Sequence, residues 1–217
     1  MRVIQGFIFD MDGVLVDSEP VYMKEERRSY ARYGVTLNET ELSRFVGTTQ
    51  RYMWSVIKTE YGLADALDCL MAEHHRQLLE TLHSAPLPAM PGVTQLLIAL
   101  KKAGIPCAVA SSSPRELVEL ILRHAGLQLF FNEIVCGDDV KRSKPDPEIF
   151  LMAAKRLGVS PSSCVVIEDS SHGVAAAKAA SMFCVGLLNP NSGQQNLSAA
   201  DLCVHHHSEI NHWFFEQ

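Results

Sequence analysis

The sequence contains no run of about 18 apolar residues, the length a helix needs to cross a bilayer. The run from Val3 is short and ended by Asp10, where a secretory signal would need a longer apolar stretch and a small-residue cleavage site after a basic start. Neither a membrane span nor export is expected, and the chain is expected to act in the cytoplasm. Positive charge is in short supply: 19 Lys and Arg against 25 Asp and Glu leave a formal net charge of −6. With no basic excess to neutralise a phosphate backbone, nucleic acid is excluded as the main partner. An anionic small molecule is compatible with this balance, because a metal and a few placed cations can reverse the sign of one cleft. The six cysteines include no C-x-x-C pair, and Cys107, Cys164 and Cys184 lie in apolar runs. Thiols in such runs pack as small hydrophobes, which argues for reduced core residues over a disulfide framework.

What is present is ordinary globular material. At 217 residues, 47% hydrophobic and 20% charged, the chain can bury a sizeable core as one large domain or one domain carrying a small insertion. From residue 90 onward, helix and strand signals alternate. Val93, Leu96, Leu97 and Leu100 share a helical face that Gly104 ends, and 106–110 suits a buried strand. A second helix follows, with Ser113 placed to cap it, Pro114 in the first turn, and Leu117, Leu120 and Ile121 on one face. Strands are predicted at 133–136, 164–167 and 183–187, with helices over 147–157 and 173–180. The run 3–9 supplies one more strand.

Short apolar strands separated by helices predict an α/β fold, a Rossmann-like parallel sheet with helices on both faces. Residues 18–84 differ: they are charged, helical in period and without a convincing strand. The predicted organisation is a discontinuous α/β core, 1–17 and 85–217, interrupted by a helical insertion, 18–84. The tail reads as polar over 189–198, and the run His205-His206-His207 reads as a solvated loop.

In open sheets of this kind the ligand crevice lies beyond the carboxyl ends of the strands, and four polar segments fall there. In Phe9-Asp10-Met11-Asp12-Gly13-Val14, two carboxylates leave a strand together. Asp10 could attack phosphorus and Asp12 could exchange a proton with the leaving oxygen or with water; D-x-D-G is also a good turn sequence. Ser111, Ser112 and Ser113 at a helix start suit a phosphate oxygen, or serve as a plain cap. Lys144, in a loop stiffened by Pro145 and Pro147, could stabilise charge or remain a surface cation. Glu168 and Asp169 end an apolar strand, where buried charge is costly unless paired; Mg²⁺, with its preference for oxygen, would pair it. Asp138 and Asp139 could support Lys144 or form a turn.

In order and separation these segments resemble the four signature motifs of the haloacid dehalogenase-like hydrolase superfamily. The strings Phe9 to Leu15, Asp17-Ser18-Glu19-Pro20, Lys144-Pro145-Asp146-Pro147 and Glu168-Asp169-Ser170 resemble its β-phosphoglucomutase-like branch. The resemblance implies Asp10 as nucleophile and Asp12 as acid/base, with Ser111, Ser112 and Lys144 binding phosphate. It implies Mg²⁺ held by Asp10, Asp12 (through its main-chain carbonyl) and Asp169, with Glu168 close by. The helical insertion would be a cap that reads the rest of the substrate, with Gly47, Gln50 and Arg51 as candidate contacts. True β-phosphoglucomutases carry a cap motif ending Gly-x-Ser-Arg and a His shortly after the first motif. This chain has Gly47-Thr48-Thr49-Gln50-Arg51 and Tyr22 instead. The expectation is therefore a phosphatase acting on a small phosphorylated metabolite such as a sugar phosphate. A β-phosphoglucomutase is the alternative, and a non-catalytic binding protein on the same fold a further one. A monomer is expected.

Overall fold

The computed structural model describes residues 3–38, 41–42, 45 and 50–215. The chain divides into two compact units, one built from 1–18 and 87–217 and the other from 19–86. No helix among the described residues is long and apolar enough to cross a membrane.

The first unit is organised by a six-stranded, all-parallel sheet. Its strands are β1 (Gly6–Phe9), β2 (Cys107–Ala110), β3 (Glu133–Val135), β4 (Cys164–Glu168), β5 (Phe183–Leu187) and β6 (Leu202–Val204). They lie in the order β3-β2-β1-β4-β5-β6. The central strands β1, β2 and β4 are buried along their whole length, as a parallel sheet covered on both faces requires. β1 is shorter than the apolar run from Val3 predicts. Val3 is 69% exposed, so nothing drives it into the sheet, although Gln5 N still donates to the Ser163 carbonyl at 2.9 Å.

Helices of this unit follow the predicted apolar faces. In α4 (Val93–Lys102) the residues Val93, Leu96, Leu97 and Leu100 are buried. In α5 (Arg115–His124) Leu117, Val118, Leu120, Ile121 and Leu122 are buried. α6 (Glu148–Leu157) ends at Gly158, which adopts the left-handed conformation at φ 69°. α7 (Ser171–Ala179) is made of small residues, and Ser170 caps it by accepting from Gly173 N at 3.0 Å. Small side chains let this helix lie close on β4 and β5. One cap differs from expectation: Ser113 does not cap α5. Pro114 occupies the cap position, and the Asp138 carboxylate accepts from Arg115 N at 2.8 Å instead. Asp139 pairs with Arg115 at 2.6 Å and Arg156 at 3.3 Å. These two acids secure α5 and do not support Lys144.

The sixth strand and the terminal helix α8 (His207–Phe215) are absent from the sequence reading. His205 and His206 are exposed, but His207 is 1% exposed, which corrects the solvated-loop reading for that residue. Among the described residues its Nε2 has no hydrogen-bond partner. Burial, with a smaller contribution from His206, pushes its pKa down to about 4.

The second unit packs α1 (Glu19–Arg32), α2 (Gln50–Tyr61) and α3 (Leu67–Ser84) around Tyr30, Trp54, Ile57 and Leu70. Trp54 is fully buried and meets Tyr30 edge-on at 5.1 Å. Beside it Ser29 and His74 share a hydrogen bond of 2.8 Å, and Ser29 donates to Gln77 at 3.1 Å.

His207 makes a prediction about acid stability. The folded state holds the imidazole neutral to about pH 4, whereas the unfolded chain takes up a proton near 6.5. Its contribution is therefore full above 6.5 and is lost as pH falls towards 4, about 2 kcal/mol of it by pH 5. Urea midpoints at pH 7.5 and 5.0 should show a smaller acid loss for His207→Leu than for the natural sequence. Equal losses would refute the neutral buried imidazole.

Candidate active site

The first polar segment leaves β1 in a tight turn. Asp10 N donates to the Ile167 carbonyl at 3.0 Å, extending the sheet pairing by one residue, so the Asp10 side chain stands at the carboxyl edge between β2 and β4. Leu15 N and Val16 N then donate back to the Met11 carbonyl, and Gly13 N to that of Val16. Gly13 takes φ 75°, and a Cβ there would overlap the Asp169 carboxylate. Only glycine serves on both counts.

Lys144 joins the segments. Its Nζ donates to Asp10 Oδ1 at 2.5 Å, to Glu168 Oε1 at 2.7 Å and to the Ala110 carbonyl at 3.0 Å, and it lies 4.9 Å from the centre of the Phe150 ring. Burial alone would drive this ammonium to lose its proton; Asp10 and Glu168 more than offset that and raise its pKa. Glu168 is saturated with donors. Its Oε2 accepts from Asp169 N, Ser170 N and Ser170 Oγ, each at 2.9 Å. Gly173 has no Cβ to crowd that carboxylate.

Asp12 faces other partners. Ser18 Oγ donates to its Oδ1 at 2.6 Å, and Ser113 Oγ to its Oδ2 at 3.0 Å, with Ser111 Oγ at 3.4 Å. Ser111 is buried and also accepts from Ser113 N at 3.1 Å. Ser112 is exposed and borders a cavity of about 240 Å³ with Pro114, Gly137, Ser143 and Lys144. Ser18 and Ser113 belong to segments singled out in the sequence, but their service to Asp12 is visible only in three dimensions. Ser192, which donates to Asp169 Oδ2, has no signal in the sequence at all. Of the candidates in the second unit, Gly47 lies outside the described residues. Gln50 begins α2, and Arg51 is exposed and paired with Asp68 at 2.7 Å.

Burial and crowded charge set the electrostatics of the site. Burial raises the pKa of Asp10 well above the usual range; Lys144 opposes this, while Glu168, Asp169 and Asp12 reinforce it. Burial, followed by Glu168, pushes Asp169 up to about 8. Among the described residues no three ligating side chains form a ready-made metal cluster. The oxygens present nevertheless fit a hard cation: the buried carboxylates of Asp10 and Asp169 can ligate it, while Glu168, paired with Lys144 beside Asp10, adds charge.

An open parallel sheet with carboxylates and a lysine at the carboxyl edge of its central strands is the architecture of an α/β enzyme that handles a small anionic ligand. The model for haloacid dehalogenase-like hydrolases matches residues 7–187, and the chain belongs to that family. It is 39% identical over 178 residues to a phosphorylated carbohydrates phosphatase of Thermotoga maritima, covering 82% of each chain. It is 33% identical over 181 residues to a fructose-1-phosphate phosphatase of Escherichia coli, covering 83% of this chain and 94% of the relative. Among solved structures, β-phosphoglucomutase from Clostridium difficile matches with a TM-score of 0.82 at 28% identity, over 99% of this chain and 96% of that one.

A test follows from Asp169. The unfolded chain ionises this group near 3.9, while the folded chain keeps its proton to about 8. Its contribution to stability is therefore full below 3.9 and is lost as pH rises through that window. Asp169→Asn should raise the melting temperature of metal-free protein at pH 8, with the gap closing towards pH 4. A variant that melts lower at pH 8 would contradict the buried excess of charge.

Proposed function

We propose that the chain is a Mg²⁺-dependent phosphatase of a small phosphorylated metabolite, a sugar phosphate in particular, working through an aspartyl-phosphate on Asp10. The observation that carries this reading is the Lys144 ammonium 2.5 Å from Asp10 Oδ1, with Asp12 close by in sequence held by the hydroxyls of Ser18 and Ser113. In the first step an Asp10 oxygen forms a bond to phosphorus as the bond to the leaving oxygen breaks. Asp12 donates a proton to that leaving oxygen. In the second step Asp12 takes a proton from water, whose oxygen attacks phosphorus, and inorganic phosphate leaves with Asp10 restored. The hydroxyls around Asp12 can donate to its carboxylate or turn to accept from its protonated form, so one cradle serves both states.

Lys144 and Ser111 would hold phosphoryl oxygens, with Ser112 contributing from the start of α5. Asp10, Asp169 and the main-chain carbonyl of Asp12 would hold Mg²⁺. Glu168, whose oxygens are already engaged, would add charge without ligating. When bound, the metal lessens the repulsion between an anionic nucleophile and an anionic phosphate. We assign the choice of substrate to the helical unit as a cap. The relatives named for phosphorylated carbohydrates and fructose 1-phosphate support the sugar-phosphate class. The likeness to β-phosphoglucomutase makes mutase activity the second reading, which the residues at Gln50, Arg51 and Tyr22 disfavour.

Phosphate release from an aryl phosphate and a sugar-phosphate panel should require Mg²⁺ and be abolished by EDTA. Asp10→Asn should lower turnover by at least about 10³-fold without unfolding the protein. Full activity in that variant would remove Asp10 as nucleophile. Conversion of β-glucose 1-phosphate to glucose 6-phosphate, with the bisphosphate activator and faster than phosphate release, would replace the phosphatase by the mutase.

A further inference from the structure

After β5 the chain enters a short turn, Pro190–Ser192, beyond the stretch 7–187 matched by the family model and outside the four polar segments. Its side chains and that of Asn189 reach back into the site three times. Asn189 Nδ2 donates to the Gly13 carbonyl at 3.2 Å, Asn191 Nδ2 to Asp17 Oδ2 at 2.6 Å, and Ser192 Oγ to Asp169 Oδ2. The turn itself is tied at both ends. Asn189 Oδ1 accepts from Asn191 N at 2.9 Å. The Ser192 carbonyl accepts from Gln195 Nε2 at 3.0 Å, and Gln195 Oε1 accepts from Ser171 N and Ser171 Oγ at 3.0 and 2.9 Å. Asn189 and Ser192 are both buried, so the Ser192 hydroxyl is held in place beside Asp169.

The effect on Asp169 is chemical as well as mechanical. Oδ2 is enclosed between Ser192 and Gly13, where no Cβ could fit. A carboxylate with one oxygen bound to a fixed hydroxyl presents its other oxygen singly. Mg²⁺ takes single oxygens at the corners of a small octahedron, whereas Ca²⁺ takes more ligands and readily grips a carboxylate by both oxygens. Resting on the cation site proposed above, we infer that Ser192 is a positioning residue that sets the metal preference of the centre: it holds Asp169 to one-oxygen coordination and so favours Mg²⁺ over Ca²⁺. Outer partners of this type change metal affinity while touching no metal themselves.

The test is calorimetric titration of metal-free protein with Mg²⁺ and, separately, with Ca²⁺, in the absence of substrate. In Ser192→Ala the Mg²⁺ affinity should fall roughly tenfold while that for Ca²⁺ holds or rises, so the ratio of the two shifts towards Ca²⁺. Ser192→Thr, which keeps the hydroxyl, should restore the natural ratio. Ser192→Cys, close in size and a weak donor, should behave like the alanine variant and serves if that variant does not fold. A purely structural role would weaken both metals together; an unchanged ratio in the alanine or cysteine variant, with Mg²⁺ bound by the natural protein, would overturn the assignment to Ser192 alone. Failure of the natural protein to bind Mg²⁺ at all would overturn the cation site as well.

Discussion

The lysine ammonium enclosed between two carboxylates is the interaction on which the rest of the site depends. Lys144 Nζ reaches the end of β1 through Asp10, the end of β2 through the Ala110 carbonyl, and the end of β4 through Glu168. A cation buried this deeply survives only with full compensation, because removing one partner of such a group costs several kcal/mol. Compensation is arranged in layers. Phe150 lies beneath the ammonium, and Glu168 is held by the amides that open α7. One lysine cannot compensate three buried acids; burial and the uncompensated charge raise the pKa of Asp10 and Asp169, and that charge is the physical reason the site is suited to a divalent cation.

Asp10 and Asp12, two residues apart, experience opposite surroundings. Asp10 stands in a buried, charge-crowded position that favours its protonated form. Asp12 accepts from serine hydroxyls contributed by two distant parts of the chain. Distinct environments are how two chemically identical groups are assigned distinct tasks. The division falls where the chain leaves the sheet: Asp10 N still pairs with the Ile167 carbonyl, and the turn begins at Met11, whose carbonyl accepts from Leu15 N and Val16 N.

Much of this was legible in the sequence because burial on both faces leaves a simple mark. β1, β2, β4 and β5 are short apolar runs, and the polar residues that follow β1, β2 and β4 are those at the site. β6 and α8 left no such mark. β6 has one fully buried residue, Val204, and α8 opens on the polar string His207-Ser208-Glu209, with Ile210 its anchor in the core. The partners of Asp12 and Asp169 were hidden for another reason. A serine in a polar stretch looks the same whether it meets water or a carboxylate; Ser192 lies 23 residues from Asp169, and only the packing of β5 against β4 brings them together. For Asp138 and Asp139 the same blindness left two readings open, support for Lys144 or a turn; the structure shows a 3₁₀ turn over Gly137–Asp139, and proximity in sequence to Lys144 could not tell the direction in which it points them.

The register of the central strand has a consequence for how the chain is made. Ile8 pairs with Ala108 on one side and Val166 on the other, so this segment finds neither neighbour until at least 100 further residues have been made. At about 5–20 residues per second, Phe7-Ile8-Phe9 waits on the order of 5–20 s with its backbone donors unpaired and its aromatic rings in water. During that interval the helical unit, whose contacts are local, has the residues it needs to fold. The nascent protein therefore passes through a stage in which its most apolar strand is available to chaperones, and to the same strand of neighbouring chains.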